Sequence, residues 1–145
     1  MKLLPILFSL MLLVACNSQS QNVLTPSEFK ATLESKSDAQ LLDVRTPGEY
    51  QDGYLENAVN IDYKNANFSE KIKDLDKNKP VFVYCLAGSR SAGAVKILAE
   101  SGFKEIYDLK GGFLKWTSAG NPIVETKSGS AETGMSDQDF QTLVQ

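Results

Sequence analysis

The sequence predicts an α/β domain with a mostly parallel central sheet of about five strands and helices on both faces. Short apolar runs alternate with segments of helical spacing at short intervals, which is typical of this class. The clearest run is Val81–Tyr84, "VFVY", whose β-branched and aromatic residues indicate a strand buried on both faces. From Ser89 onward, "SRSAGAVKILAESG" has the spacing of a helix. A strand therefore gives way to a helix after a short turn.

The first helix is predicted from its cap. A short strand at residues 23–24 precedes Thr25, which suits the N-cap position. Pro26 then occupies the first helical position, and Glu28 closes a capping box with Thr25. We expect this helix to extend to about residue 35.

Two more strands are predicted before the middle of the chain. Residues 40–45, "QLLDVR", form an apolar run that ends in the polar Asp43 and Arg45. We expect these two side chains to pin the strand to neighbouring loops rather than to touch a substrate. "TPGEYQDGY" predicts a turn with about one helical turn around Glu49, and "AVNID", residues 58–62, predicts a short third strand.

The second half repeats the alternation of helix and strand. Apolar residues at helical spacing predict an amphipathic surface helix over residues 67–75, and "DKNKP" ends it. The helix after Val81–Tyr84 is expected to end at Gly102, and "EIYDL" predicts a fifth strand. "GGFLKW" then predicts a last short helix. The apolar side chains that these helices should bury are Phe68, Ile72, Leu75, Ala94, Val95, Ile97, Leu98, Phe113 and Trp116.

Cys85 stands where the central strand ends and the next helix begins. Ligands of parallel sheets bind at the carboxyl ends of the strands, and helix N-termini lower the pKa of a cysteine. The amides of the following turn can curl toward the sulfur, and Gly88 relieves the backbone where the turn is tightest. Arg90 adds a positive charge and a donor fork suited to an oxyanion. These features favour a reactive thiol over a buried core cysteine.

Three segments resemble, in order, the signatures of the single-domain rhodaneses and cover roughly residues 23–122. "LLDVRTPGEYQDGYLENAVNI" is similar to the family's first signature, "VFVYCLAGSRSAGAVKILAESGF" to its active-site segment, and "IYDLKGGFLKW" to its closing one. Tyr54 departs from the family, because many members have the histidine of "Gly-His-Ile" there. That histidine is generally outside the chemistry, so we expect Tyr54 to be structural. The resemblance implies a rhodanese-like fold.

The resemblance also implies a sulfurtransferase. Cys85 would accept a sulfane sulfur from a donor, become a persulfide, and pass that sulfur to a nucleophilic acceptor. The donor would be thiosulfate or a persulfide, the acceptor a thiol, with a thioredoxin-like protein as one candidate, and no cofactor is implied. Preorganised amides of the loop would hold the persulfide. The loop residues are Leu86, Ala87, Gly88, Ser89, Arg90 and Ser91.

Other chemistries fit the sequence less well. A cysteine phosphatase or arsenate reductase carries five residues between cysteine and arginine, whereas four separate Cys85 from Arg90. A cysteine protease needs a base such as histidine, and the chain has none. A non-turnover sulfur carrier or redox-sensing module, which holds sulfur or senses oxidants at Cys85, remains an alternative to an enzyme.

The composition fits one folded domain and excludes several classes of partner. The 145 residues are 42% hydrophobic and 23% charged, which allows one core of ordinary size. The formal net charge is −3 and no basic cluster occurs, so a nucleic-acid partner is not expected. With two cysteines and no histidine, a four-ligand metal site is not expected either.

The N-terminus predicts export. Residues 1–15 combine Lys2 with an apolar stretch that is shorter than the roughly 20 residues needed to span a bilayer, as in a secretory signal. "LVAC" at its end resembles the lipobox of bacterial lipoproteins, which implies that Cys16 is lipidated and anchors the protein at the cell envelope. An ordinary signal peptide that happens to contain a cysteine is the alternative.

The predicted domain organisation follows from these boundaries. A polar tether over residues 16–22 leads into the rhodanese-like domain at residues 23–124. Residues 125–145 form a polar linker and a short amphipathic helix, with Ser136 as its cap. This helix is either a frayed tail or, as its resemblance implies, the start of a thioredoxin-like domain that the chain itself does not contain.

Overall fold

The computed structural model describes residues 20–126, which contain one five-stranded sheet. Its strands are β1 (Ser20–Leu24), β2 (Gln40–Asp43), β3 (Val59–Asn60), β4 (Val81–Tyr84) and β5 (Glu105–Leu109). They lie in the order β1-β5-β4-β2-β3, and their pairings are all parallel. The predicted α/β fold is confirmed, and the carboxyl ends of these strands share one edge of the sheet.

Five α-helices in the described part of the chain connect and cover these strands. They are α1 (Pro26–Glu34), α2 (Pro47–Gln51), α3 (Phe68–Lys71), α4 (Ser89–Glu100) and α5 (Gly112–Ser118). The predicted capping box of α1 is present, with Thr25 and Glu28 bonded to each other's backbone. Within residues 20–126, no helix is both long enough and apolar enough to cross a bilayer.

The sheet has a separate apolar core on each face. On one face Val81, Val83 and Cys85 pack in a cluster with residues of α3 and α4, while on the other Phe82 and Tyr84 pack with residues of α1 and α5. β4 therefore alternates between two cores, as a strand buried on both faces must. Of the predicted helix contacts, Ala94, Leu98 and Trp116 are fully buried, whereas Val95, Ile97 and Phe113 are half-buried.

β1 begins three residues earlier than the sequence predicts. Ser20, Gln21 and Asn22 pair with β5, and the Ser20 amide donates to Lys104 O at 2.9 Å. Their side chains are exposed, so main-chain pairing at a sheet edge creates this part of the strand without any apolar pattern. The predicted tether over residues 16–22 therefore extends too far into the chain.

The predicted surface helix over residues 67–75 is shorter and more deeply packed. It consists of α3 and a 3₁₀ turn, Ile72–Asp74, after which Leu75 is extended. Phe68 and Ile72 are buried in the core beside α4. The apolar residues of this segment pack into the core as their spacing predicts, but they belong to a short α-helix and a 3₁₀ turn rather than to one continuous helix.

Several predictions fall outside the described residues. They are the signal segment, the lipidated Cys16, and the linker and amphipathic helix beyond residue 126. The last described residues still contribute to the domain, because Tyr54 and Val124 exchange two backbone hydrogen bonds, of 3.0 and 2.8 Å, in an antiparallel bridge.

Candidate active site

Cys85 lies at the carboxyl end of β4, at the bottom of a tight loop. Only 1% of the residue is exposed. The Gly88 amide donates to the Cys85 Sγ at 3.0 Å, and α4 begins at the next residue. Gly88 has a φ of +106°, which side-chain-bearing residues rarely adopt. The predicted role of Gly88 in the turn agrees with this geometry, because a glycine lets the loop fold back over the sulfur.

The loop stabilises the thiolate of Cys85. Burial raises the pKa of the thiol, but hydrogen bonds from the Ser91 hydroxyl and amide and from the Gly88 and Ala87 amides outweigh it. The resulting pKa is below its ordinary value. Because the thiolate is the nucleophile, this environment favours reaction at neutral pH. Of the loop residues Leu86 to Ser91, the donors that act on the sulfur are Ala87, Gly88 and Ser91, and Ser91 is the largest stabilising contributor.

The rim of the loop has small side chains. Ala87 and Ser89 are exposed, while Leu86 and Arg90 are half-buried and Ser91 is fully buried. A donor or acceptor that approaches Cys85 from the solvent therefore meets mainly backbone and short side chains.

The structure places the Arg90 fork on a carboxylate rather than at the sulfur. Arg90 Nη1 and Nη2 donate to the two Glu49 oxygens, each at 2.7 Å. The pKa of Arg90 is raised first by this hydrogen bond, with a smaller contribution from the charge of Cys85. The expectation of a free donor fork for an oxyanion is therefore not met. The positive charge of Arg90 still acts on the thiol.

Glu49 is a site residue that the sequence analysis did not single out. It caps α2 through the same Thr-Pro-x-Glu pattern that begins α1, because Thr46 and Glu49 bond to each other's backbone. The Arg90 hydrogen bond holds the pKa of Glu49 at about 2, despite an opposing effect of burial. The repeated pattern in "TPSE" and "TPGE" was the available signal for this helix cap. Its pairing with Arg90 had no local signal.

Two glycines after β5 allow the chain to approach the back of the loop. Gly111 and Gly112 have φ values of +75° and +60°, and a Cβ on Gly112 would lie 2.4 Å from Cys85 O. The next amide, that of Phe113, donates to Cys85 O at 2.8 Å. The segment "KGGF" therefore fixes the backbone of Cys85 from behind.

Asp43 and Arg45 form an internal pair beside the site. Arg45 Nε and Nη2 donate to Asp43, with Nη2 to Oδ2 at 2.6 Å, and Nη2 also donates to Gly53 O at 2.7 Å. The guanidinium lies 4.0 Å from the Phe113 ring centroid. These contacts tie the end of β2 to the following loop. Nearby, Tyr54 stacks on the ring of Tyr50 at 4.2 Å.

One cavity in the described part of the chain lies away from Cys85. It has a volume of about 480 Å³ and is lined in part by Leu33, Leu41, Leu55 and Trp116, which belong to or pack against the opposite core. Within residues 20–126, no cluster of three or more His, Cys, Asp or Glu side chains could hold a metal ion.

Comparisons with known proteins match the same part of the chain. The family model described as "Rhodanese-like domain" matches residues 25–119. The thiosulfate sulfurtransferase GlpE of Pseudoalteromonas translucida is 33% identical over 96 residues, which are 65% of this chain and 90% of that protein. GlpE of Coxiella burnetii is 41% identical over 85 residues, which are 58% of this chain and 77% of that protein.

One relative is much longer than this chain, and one solved structure has nearly the same extent. The tRNA uridine(34) hydroxylase of Cytophaga hutchinsonii is 45% identical over 96 residues, 64% of this chain but only 30% of that protein. The crystal structure of a rhodanese-related protein from Thermoplasma volcanium is 32% identical, with a TM-score of 0.63. That match covers 71% of this chain and 97% of the other.

Proposed function

Because the chain belongs to the rhodanese-like domain family, we propose that it is a sulfurtransferase that carries sulfane sulfur as a persulfide on Cys85. The observation that carries the proposal is the environment of the Cys85 sulfur. The Gly88 amide bonds to it directly, and the Ala87, Gly88 and Ser91 donors lower its pKa. Such a cradle suits a sulfur atom that must alternate between thiolate and persulfide.

The proposed reaction has two displacement steps. The Cys85 thiolate attacks the sulfane sulfur of the donor, and the donor's bond to that sulfur breaks. With thiosulfate, sulfite leaves with the bonding electron pair. An acceptor thiolate or cyanide then attacks the outer sulfur of the persulfide, and the Cys85 thiolate leaves. Both steps place negative charge next to the loop, where fixed N–H donors stabilise it without reorganisation.

The donor is expected to be small or to present an accessible sulfur. The exposed rim residues Ala87 and Ser89 leave room for a donor, and the Arg90 fork is bound to Glu49. A dianion such as thiosulfate would therefore rely mainly on backbone amides. The names of the GlpE relatives support thiosulfate as the first donor to test. Persulfides of low-molecular-weight thiols or of proteins are the second class.

The experiment is mass spectrometry of the intact protein after treatment with thiosulfate or glutathione persulfide. We expect a mass increase of about 32 Da, one sulfur atom, on the wild type and none on Cys85→Ser. Addition of cyanide should then remove the adduct and release thiocyanate repeatedly. An adduct that forms but is not turned over by cyanide or thiols would indicate the carrier alternative. Absence of the adduct with every donor would contradict the proposal.

The other activities receive less support. The match to the tRNA hydroxylase spans 30% of that protein, and this chain is acidic without a basic cluster. The four-residue gap from Cys85 to Arg90 is one residue short of a phosphatase loop, and Glu49 occupies the arginine fork that a phosphate would need. Hydrolysis of an aryl phosphate faster than sulfur transfer would reverse this preference.

We also propose that the protein is exported and that a lipid on Cys16 anchors it to a membrane. The support is the signal-like segment of residues 1–15 and "LVAC" at its end. The acceptor of the sulfur would then be a thiol in the cell envelope, and a thioredoxin-like protein is one candidate because it carries such thiols. Growth with a labelled fatty acid should label the wild type but not Cys16→Ser. Label that persists in the variant would contradict the anchor.

A further inference from the structure

Lys115 lies on α5, close to the loop that follows Cys85, residues 86–91. Its stem covers Gly111, because a Cβ on that glycine would clash with Lys115 Cγ and lie 2.9 Å from Lys115 Cβ. The backbone of Gly111 in turn lies against Gly88, where a Cβ would be 3.6 Å from Gly111 N. The amide of Gly88 donates to Cys85 Sγ at 3.0 Å. Two glycines therefore connect the Lys115 stem to the amide that contacts the sulfur.

The charge of Lys115 is available to a molecule that approaches the loop. Side chains on a helix tilt toward its N-terminus, and the first turn of α5 donates two amides to the carbonyl groups of Cys85 and Leu86. The lysine therefore leans toward the end of α5 that contacts the loop. Lys115 is exposed, and it makes no ion pair with any carboxylate of residues 20–126. Its ammonium group thus faces solvent with its charge uncompensated by any of these residues.

Two other cations near the loop are engaged elsewhere. Arg90 gives both ends of its fork to Glu49, and the charge of Asp62 also acts on it. Lys110 directly precedes the two glycines, but its charge acts on Glu28 in the first turn of α1. Within the described part of the chain, the α2 side of the loop therefore carries a paired cation, and the α5 side carries an unpaired one.

We propose that Lys115 is a specificity-determining residue, which makes Cys85 favour sulfur donors with an anionic group next to the sulfane sulfur, such as the SO₃ group of thiosulfate. The inference rests on the proposed function and names the class of donor that this function uses. The loop amides hold the reacting sulfur, while the ammonium group attracts the anionic donor and the sulfite that leaves with the electron pair of the broken sulfur–sulfur bond. Such attraction extends over about one Debye length, about 10 Å at 0.1 M salt. The anionic group of the donor therefore lies on the α5 side of the loop, away from Glu49.

The first test compares the alkylation of Cys85 by iodoacetate, which is an anion, with its alkylation by iodoacetamide, which is neutral and of similar size. Each rate is measured as a function of pH, so the profile gives the pKa of Cys85 and its plateau gives the rate of the thiolate. Both reagents react with the thiolate, so a change in its pKa does not affect the ratio of the two plateau rates. We expect Lys115→Gln to lower the ratio of iodoacetate to iodoacetamide rates about two- to threefold, and Lys115→Glu to lower it further. The differences should disappear at about 1 M salt, where the Debye length is about 3 Å.

Two control variants separate the charge of Lys115 from its packing and from the charge of the whole protein. Lys115→Arg keeps the charge and a long stem, so it should have the wild-type ratio. Lys104→Gln removes an exposed lysine just before β5, at the amino edge of the sheet, and should also leave the ratio unchanged. The same ratio in the wild type and Lys115→Gln would overturn the inference, and so would an equal decrease in Lys104→Gln. Should Lys115→Gln not fold, the wild type still gives an answer. Its ratio should fall as salt is added, whereas the formal net charge of −3 acting alone would make the ratio rise.

The second test uses sulfur donors and separates this inference from the proposed function. Lys115→Gln should lower kcat/KM for thiosulfate about three- to fivefold, mainly through KM, because this donor is a dianion. The value for the hydropersulfide of 2-mercaptoethanol, which has no anionic group apart from the persulfide itself, should change much less. Equal losses with both donors would overturn the inference while persulfide transfer stands. If neither donor forms the Cys85 persulfide in the wild type, the proposed function fails, and the alkylation ratio still decides whether Lys115 selects anions.

Discussion

Two arginine–carboxylate pairs stand near the carboxyl edge of the sheet, and they differ in exposure and in what they connect. The Asp43–Arg45 pair joins residues two apart, and its side chains are 0% and 2% exposed. The Glu49–Arg90 pair joins residues 41 apart, α2 to α4, and its side chains are 26% and 17% exposed. The first organises a loop inside the core, whereas the second joins α2 to the first turn of α4, directly after the Cys85 loop.

The contrast shows that the same chemical pair has different energetic consequences in the two places. Removing one member of a buried pair leaves an uncompensated charge, which is strongly destabilising. A pair near the surface is screened by water and contributes less to the free energy of unfolding. We therefore expect variants of the inner pair to change folding and variants of the outer pair to change the thiol.

The largest decrease in the free energy of unfolding is expected for Asp43→Ala. The variant leaves Arg45 buried against Phe113 with only the Gly53 carbonyl as partner. Loss of about 3–5 kcal/mol of the free energy of unfolding is expected, a large part of the stability of a small domain. Urea unfolding followed by circular dichroism measures it. A loss below about 1 kcal/mol would show that the pair is as replaceable as a surface pair.

A smaller and pH-dependent effect is expected for Glu49→Gln. The pKa of Glu49 is about 2 in the folded protein and near its ordinary value of 4.5 in the unfolded chain. A depressed pKa contributes stability that is present above pH 4.5 and is lost as the pH falls toward 2. Glu49→Gln should therefore cost about 1–2 kcal/mol at neutral pH and show a weaker loss of stability in acid. Urea unfolding at several values between pH 7 and pH 3 tests this. Parallel acid dependence in both proteins would contradict the assignment.

The next prediction concerns how the charges of Glu49 and Arg90 shift the pKa of Cys85. Arg90→Ala removes the positive charge and frees the Glu49 carboxylate, so the pKa of Cys85 should rise. Glu49→Gln leaves the guanidinium uncompensated, so the same pKa should fall. The double variant should lie between them, and we expect each single shift to be smaller than about one pH unit because water screens these side chains. The alkylation profile measures all three. Shifts in the same direction for both single variants would rule out a charge effect.

The smallest effect is expected for the exposed pair of Lys73 with Glu70. Their side chains are 62% and 70% exposed, with a separation of 2.7 Å. Glu70→Gln should change the free energy of unfolding by less than about 0.5 kcal/mol and leave Cys85 alkylation unchanged. The same urea and alkylation measurements serve as the baseline of the series. If Glu70→Gln lowered the free energy of unfolding as much as Glu49→Gln does, solvent exposure would not explain how much each ion pair contributes to stability.

The sequence predicted the elements whose signals are local. β4, α4 and the Cys85 turn follow from one apolar run, one helical spacing and one glycine, all within residues 81–102. The cap of α1 follows from four consecutive residues. The fold class and the position of Cys85 needed no more than this, because a parallel sheet places strand ends together.

The features that were missed depend on contacts between distant parts of the chain. The partner of Arg90 is 41 residues away and belongs to another helix, so no spacing rule links them. Ser20 joins the sheet through its backbone, and its side chain carries no apolar signal. Pairings of this kind are decided by tertiary packing.

The parallel sheet also gives the domain a direction. Ser20 opens β1 at the amino edge, and Cys85 follows β4 at the carboxyl edge, roughly 15 Å higher at about 3.3 Å per residue. If Cys16 is the lipid attachment that we propose, four residue steps, at most about 14 Å, connect the bilayer surface to the amino edge. The thiol would then point away from the lipid, toward the open aqueous space. A soluble sulfur donor or acceptor could then reach the Cys85 thiol freely. A membrane-bound acceptor would need a flexible segment long enough to extend past the whole domain.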